Sequence, residues 1–149
     1  MALDVRLWAA LVIAVFVAAA CSSEVSDSLA PPADDVVVRV TIAGEVAVDW
    51  TLADLDASVE HSEIVVDGDT ERGPRLLEVL TASGVEEWES AEVIGMGEGR
   101  SFAVSLEVSS SQVNEGWILD VTRQGTLKLA AEDLPREQWV RDVAEIRVR

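Results

Sequence analysis

The chain has 149 residues, of which 28 are acidic and 11 basic, for a net charge of −17. That length is enough for one domain with a sizeable core. The charge argues against nucleic acid as a partner and against anionic lipid held by charge alone; it suits a soluble surface domain, a basic partner or a cation.

Residues 1–20 read as a secretory signal. A weakly charged start, with Arg6 against Asp4, precedes an apolar run from Leu7, and Ala18, Ala19 and Ala20 supply the small residues of a cleavage site. The run is short for a membrane span, which takes about 20 residues. Cys21, the single cysteine, follows directly. This arrangement resembles a bacterial lipobox, although Ala18 stands where that motif prefers Leu. The resemblance implies lipidation at Cys21 and a domain anchored on the extracytoplasmic face of the cell membrane. Without lipidation the same signal implies secretion. A lone cysteine at this position leaves no internal disulfide.

Residues 21–35 form a flexible tether after Cys21, with Ser22, Ser23, Pro31, Pro32, Asp34 and Asp35 and little to bury. The domain is residues 36–149. Val36, Val38, Val40 and Ile42 alternate along a first strand. Ala43, Gly44 and Glu45 turn it, and Val46 to Trp50 return as a hairpin. Thr51 then caps a short helix that runs from Leu52, with Asp54 as the capping acid and Leu52 and Leu55 facing inward. A second strand covers residues 60–66. Asp67 and Gly68 signal a tight hairpin turn, and Asp69 to Arg72 return.

Residues 73–84 carry the clearest helix signals in the chain. Pro74 suits the first helical position, Gly84 suits the stop, and Leu76, Leu77, Val79 and Leu80 make one apolar face for a sheet to cover. After an acidic link, Ala91 to Met96 read as a strand. Gly97, Glu98 and Gly99 turn into a partner strand with Phe102, Val104 and Leu106 on one face. Residues 107–114 are expected as a short polar helix, Trp117 to Thr122 and Thr126 to Ala130 as strands about a Gln124–Gly125 turn, residues 133–138 as a loop, and Val143 to Val148 as a closing strand. Together these predict an α+β fold of mixed β-sheets with two or three short helices.

No group of residues makes a convincing catalytic or metal-binding set. His61 is the single histidine and lacks the partners a metal needs. Asp67, Asp69 and Glu71 lack the spacing of a calcium loop, and a hairpin turn explains Asp67 and Gly68 better. Ser62, Ser101 and Ser105 have no activating base in any motif context. Trp50, Trp88, Trp117 and Trp139 could stack on a ligand, but at strand ends they more often pack. Trp88 is the best candidate, since it stands among Glu86, Glu87 and Glu89.

Four pieces in order resemble the sulfite oxidase-like molybdopterin-binding domain. Val40-Thr41-Ile42-Ala43-Gly44-Glu45 with Trp50-Thr51-Leu52-Ala53-Asp54-Leu55 resembles that family's opening strand and its T-L-x-D-L segment. Gly73-Pro74-Arg75-Leu76-Leu77-Glu78-Val79-Leu80, ending in Ser83-Gly84-Val85, is similar to its G-V-P-L-x-x-L-L-x-x-A-G-V helix. Gly99 to Leu106 is similar to its D-G-Y-x-x-x-L strand. Gly125-Thr126-Leu127-Lys128-Leu129 with Trp139 to Val148 is similar to its G-P-L-R-L and W-V-K-x-V-x-x-I-E-V ending.

The resemblance implies a reduced form of that fold, and the departures from it imply a changed function. Catalytic members hold molybdenum through a cysteine on the strand before the Gly-Pro helix, and residues 60–72 contain none. Acidic residues replace the glycine-rich cofactor loop before the last strand. The expectation is therefore a non-catalytic binding or scaffolding module with no cofactor, no catalytic residue and no metal ligand, met by a protein partner or a small ligand. The alternative is a divergent molybdopterin-dependent oxidoreductase without a cysteine ligand, with Arg100 and Arg136 on the pterin phosphate. A third reading is a cation binder that uses the acidic surface.

Overall fold

The computed structural model describes residues 32–97 and 102–149. The signal segment, Cys21, the tether as far as residue 31, Glu98 and Gly99 of the expected Gly97-Glu98-Gly99 turn, Arg100 and Ser101 lie outside the described residues.

Strands β1 (Val36–Ile42) and β2 (Glu45–Thr51) form the expected antiparallel hairpin. Its two-residue turn, Ala43 and Gly44, has φ of 51° and 85°, the left-handed pair that matches strand twist. Glu45 therefore begins β2 instead of closing the turn. Thr51 caps helix α1 (Leu52–Ser58) by accepting the Asp54 N–H, and its hydroxyl donates to Asp54 Oδ2 at 2.7 Å. Leu55 of α1 is buried and Leu52 half-buried.

Strands β3 (His61–Val66) and β4 (Asp69–Pro74) pair as a separate two-stranded sheet. Asp67 and Gly68 both have positive φ at its turn. Helix α2 (Leu76–Ala82) follows and starts later than expected, because Pro74 is the last residue of β4, opposite His61, and not the first of the helix. The physical reason is the company that Gly73, Pro74 and Arg75 keep. Arg75 bridges to the backbone of Ile118, so the chain stays extended until it leaves that neighbour. Arg75 holds the N-cap position with φ −67° and ψ 137° and offers no side-chain acceptor. The far end behaves as expected. Gly84 (φ 86°) lets its own N–H reach Thr81 O and the Val85 N–H reach Leu80 O, both at 3.0 Å, closing two orphan carbonyls. Leu76, Val79 and Leu80 are fully buried, each contributing about 2 kcal/mol of apolar transfer.

Strand β5 (Ser90–Gly95) pairs antiparallel with β6 (Ser105–Ser109), with Val93 opposite Leu106 and Ala91 opposite Val108. Two expectations fail here. Val104 is 61% exposed, because the chain before Ser105 is drawn aside: the Ala103 N–H bonds to Trp139 O at 2.9 Å, and Ala103 bridges in parallel to Val140. The inward face consequently runs through Leu106 and Val108. Residues 107–114 are also no helix. Glu107 and Ser109 lie in β6, and the Ser109 N–H bonds to Gln112 Oε1 at 2.8 Å in a turn, the kind of local bond with which serines compete against helix.

Strands β7 (Trp117–Val121) and β8 (Leu127–Ala131) form a hairpin, a short 3-10 turn covers Arg136–Gln138, and β9 (Val140–Val148) ends the chain. β9 is the strand on which the main sheet is assembled. Its second half runs parallel to β1 and its first half antiparallel to β8, while β5 pairs along its other edge. The order β2-β1-β9-β5-β6, with β8 and β7 joined through β9, makes one seven-stranded sheet. The architecture is α+β with strands predominating. No helix among the described residues is long and apolar enough to cross a membrane.

Candidate functional site

The β3–β4 hairpin is docked on β7 without joining the main sheet. At Gly73 the two backbones approach so closely that a Cβ would run into the Leu119 carbonyl. One residue earlier, the Arg72 N–H donates to Asp120 Oδ1 at 2.9 Å. A small apolar seam of Ile64, Ile118, Ala130 and Trp139 lies between the hairpin and the sheet.

Charged side chains complete the docking. Lys128 of β8 donates to Glu71 Oε2 at 2.7 Å and lies 3.2 Å from Asp120 Oδ2, with all three side chains at 16% exposure or less. It also sits 5.5 Å from the centre of the Trp139 ring. Removing water from such groups is expensive unless each keeps a partner. Here one ammonium serves two carboxylates, and the second of these also accepts the Arg72 N–H.

Between the docked hairpin and the β7–β8 turn lies an open cleft of about 600 Å³, within the usual range for a small-molecule site. One wall is Asp69, Thr70 and Glu71 of β4. The other runs from Asp120 through Val121, Thr122 and Arg123 to Gln124, and Lys128, Arg141 and Phe102 close it. The Arg141 guanidinium stands 5.0 Å from the Phe102 ring centre, near enough for cation–π attraction. Thr122 and Thr126 share a hydroxyl contact at 2.7 Å, and Thr126 donates to Asp142 Oδ1 at 2.8 Å, bracing the β7–β8 turn against β9.

The residues singled out from sequence are dispersed. Arg136 is spent on the tip of the β3–β4 hairpin: it donates to Val66 O at 2.8 Å and to Asp69 Oδ2 at 2.9 Å, with Asp67 Oδ2 at 3.4 Å. The hydrogen bond to Asp69 raises its pKa above the ordinary arginine value, and its guanidinium lies 5.3 Å from the Trp139 ring centre. His61 Nε2 lies 3.0 Å from Asp56 Oδ1. Among the described residues no group of three or more His, Cys, Asp or Glu side chains is placed to hold a metal.

Trp50, Trp117 and Trp139 are buried, and Trp88 is half-buried against the main core. Trp50 Nε1 donates to Ser83 Oγ at 2.9 Å, tying β2 to the end of α2, and Trp139 Nε1 donates to Ala131 O and Leu134 O. These three indoles are structural.

Sequence reasoning did not single out Asp120, Arg123, Lys128 or Arg141. The one local signal was a lysine set among Leu127, Leu129 and Ala130, where a charge demands an explanation. Its partners lie 57 and 8 positions away, brought in by the docking of β4 on β7.

Comparison with models of known protein families finds no match, and a search of curated proteins finds none. The resemblance to the molybdopterin-binding domain therefore has to be weighed against the site itself. The described residues contain no cysteine, so β3 and β4 bring no thiolate to the segment before α2. Arg136, the one described residue expected at a pterin phosphate, has its Nη2 engaged by Val66 O and Asp69 Oδ2 of the hairpin and its Nε 3.4 Å from Asp67 Oδ2. Among the described residues, those expected at the metal and at the pterin phosphate do not fit the cofactor.

Proposed function

We propose that the chain is a membrane-tethered extracytoplasmic lipoprotein, anchored through Cys21, whose domain is a reduced sulfite-oxidase-like fold acting as a non-catalytic binding module. The ligand occupies the cleft between the β3–β4 hairpin and the β7–β8 turn. The observation that carries this reading is the cleft itself: about 600 Å³, walled by a hairpin held in place by an almost buried lysine between two carboxylates. Such a set has one plain use, to keep two surface elements at a fixed separation. His61, the single histidine, is not among the described residues that line it.

The signal, the lipobox-like Ala18-Ala19-Ala20-Cys21 and the tether support the location. The missing thiolate and the committed Arg136 support a module without molybdopterin. The test is to produce the full chain in a molybdopterin-competent host, purify it in mild detergent, and measure metal, pterin and N-terminal lipid. The proposal expects lipid on Cys21 and only background molybdenum. Stoichiometric molybdenum with pterin would establish the oxidoreductase alternative instead.

A further inference from the structure

The pairing of basic side chains in this acidic chain is uneven, and the exceptions coincide with the cleft. Acidic residues outnumber basic ones by 28 to 11, so an arginine without a carboxylate nearby runs against the composition. Every other described basic side chain, from Arg39 on Asp49 to Arg149 on Glu92 and Glu107, has a carboxylate at ion-pair distance. Among the described residues Arg123 and Arg141 do not, and both line the cleft.

The carboxylates of the same cleft are in the opposite condition. Glu71 and Asp120 are held by Lys128, and Asp69 is held by Arg136. The cleft thus presents two uncommitted guanidiniums and three committed anions. Guanidinium is a rigid fork of donors suited to a planar oxyanion. Arg141 is steadied on the Phe102 ring, and Phe102 with Val121 adds apolar wall beside it.

We propose that the cleft binds a small organic carboxylate, with its charged end between Arg123 and Arg141 and its apolar body against Phe102 and Val121. This inference rests on the reading of the cleft as a ligand site and names the ligand class. A single negative charge is favoured over a phosphate dianion, because the chain as a whole carries −17 and repels additional charge over about 8 Å in physiological salt.

The experiment uses the full ¹⁵N-labelled chain in detergent and four probes: benzoate, benzamide, benzylamine and phenyl phosphate. Benzoate is expected to shift the amides of Thr70, Val121, Thr122 and Gln124 saturably. R123Q or R141Q, both at exposed positions, should weaken it at least about tenfold, the loss of a charged hydrogen bond. R147Q, which alters an arginine paired elsewhere, should leave it unchanged. If benzamide or benzylamine moves those amides as readily as benzoate, the cleft reading survives and the carboxylate assignment falls. Tighter binding of phenyl phosphate overturns the preference for one charge. Binding unchanged in both variants removes the role of the arginines, and the absence of any shift at those amides removes the cleft reading as well.

Discussion

The two hairpins of the first half, β1–β2 and β3–β4, look alike in sequence and are held in place by different forces. Each has a two-residue turn with positive φ at both positions. β1 is continued by hydrogen-bonded pairing to β9, with Val38 and Val40 fully buried in the main core. β3–β4 shares no ladder with the main sheet. It is fixed by the close approach at Gly73, the Arg72 N–H bond to Asp120, the Arg75–Ile118 bridge, one apolar seam and a set of ion pairs that reach Lys128 and Arg136. A ladder with apolar burial makes a frame, whereas a docked hairpin makes a wall whose position depends on a few side chains. The cleft lies along the wall.

The sharpest way to break the comparison is Gly73→Ala. The added methyl meets the Leu119 backbone and not a movable side chain, so either the hairpin or β7 must shift, at a cost of roughly 3 kcal/mol. Denaturant unfolding would show the loss. Hydrogen exchange should place it in β4 and β7 and leave β1–β2 protected. Uniform loss of protection in both hairpins would show that they are one cooperative unit.

Lys128→Met comes next. It strands two carboxylates that are almost out of water and should cost about 2 kcal/mol. Adding Glu71→Gln and Asp120→Asn to it should recover most of that loss, because the penalty belongs to uncompensated charge. A triple variant no more stable than the single one would contradict the assignment.

Arg136→Ala should be milder, since its carboxylate partners Asp67 and Asp69 are exposed. Exchange at the Val66–Asp69 turn should quicken about threefold, with the difference shrinking in high salt.

The smallest effect belongs to the frame. Arg39 donates to Asp49 through Nε at 2.6 Å and Nη2 at 2.8 Å, and these bonds hold the Asp49 carboxyl below its ordinary pKa of 3.8. The ionised form is the one stabilised on folding, so the contribution is complete above 3.8 and is lost as pH falls through the lower folded-state value. Asp49→Asn should melt slightly below the parent chain near about pH 7, and the gap should narrow as acid takes the pH below the ordinary carboxylate value. A gap that does not change with acid would assign the loss to packing instead.

The same contrast explains how much was legible in the sequence. The frame was, because its signals are local: alternating valines in β1, the Thr51 cap, the Gly84 stop. Pro74 misled because its local preference for a helix start lost to the contacts that keep Gly73 to Arg75 extended beside Ile118. Residues 107–114 misled because polarity resembled a surface helix, while pairing with β5 made the first of them a strand. The cleft was barely legible, its one local signal being the lysine among Leu127, Leu129 and Ala130. Lys128 and its partners Glu71 and Asp120 come from three separate strands, and a lysine in a strand does not announce which acid it will meet. Nor does an arginine in an acidic chain announce that it will have no partner, which is a property of the folded surface and not of spacing.

The most direct test of the account is to map where small molecules bind. A mixed set of neutral, cationic and anionic fragments titrated into the full ¹⁵N-labelled chain should give saturable shifts clustered at Thr70, Val121, Thr122 and Gln124, with β1 and β2 unmoved. Shifts clustered on β1–β2, or spread evenly over both hairpins, would contradict the claim that the docked hairpin is the wall of a binding site.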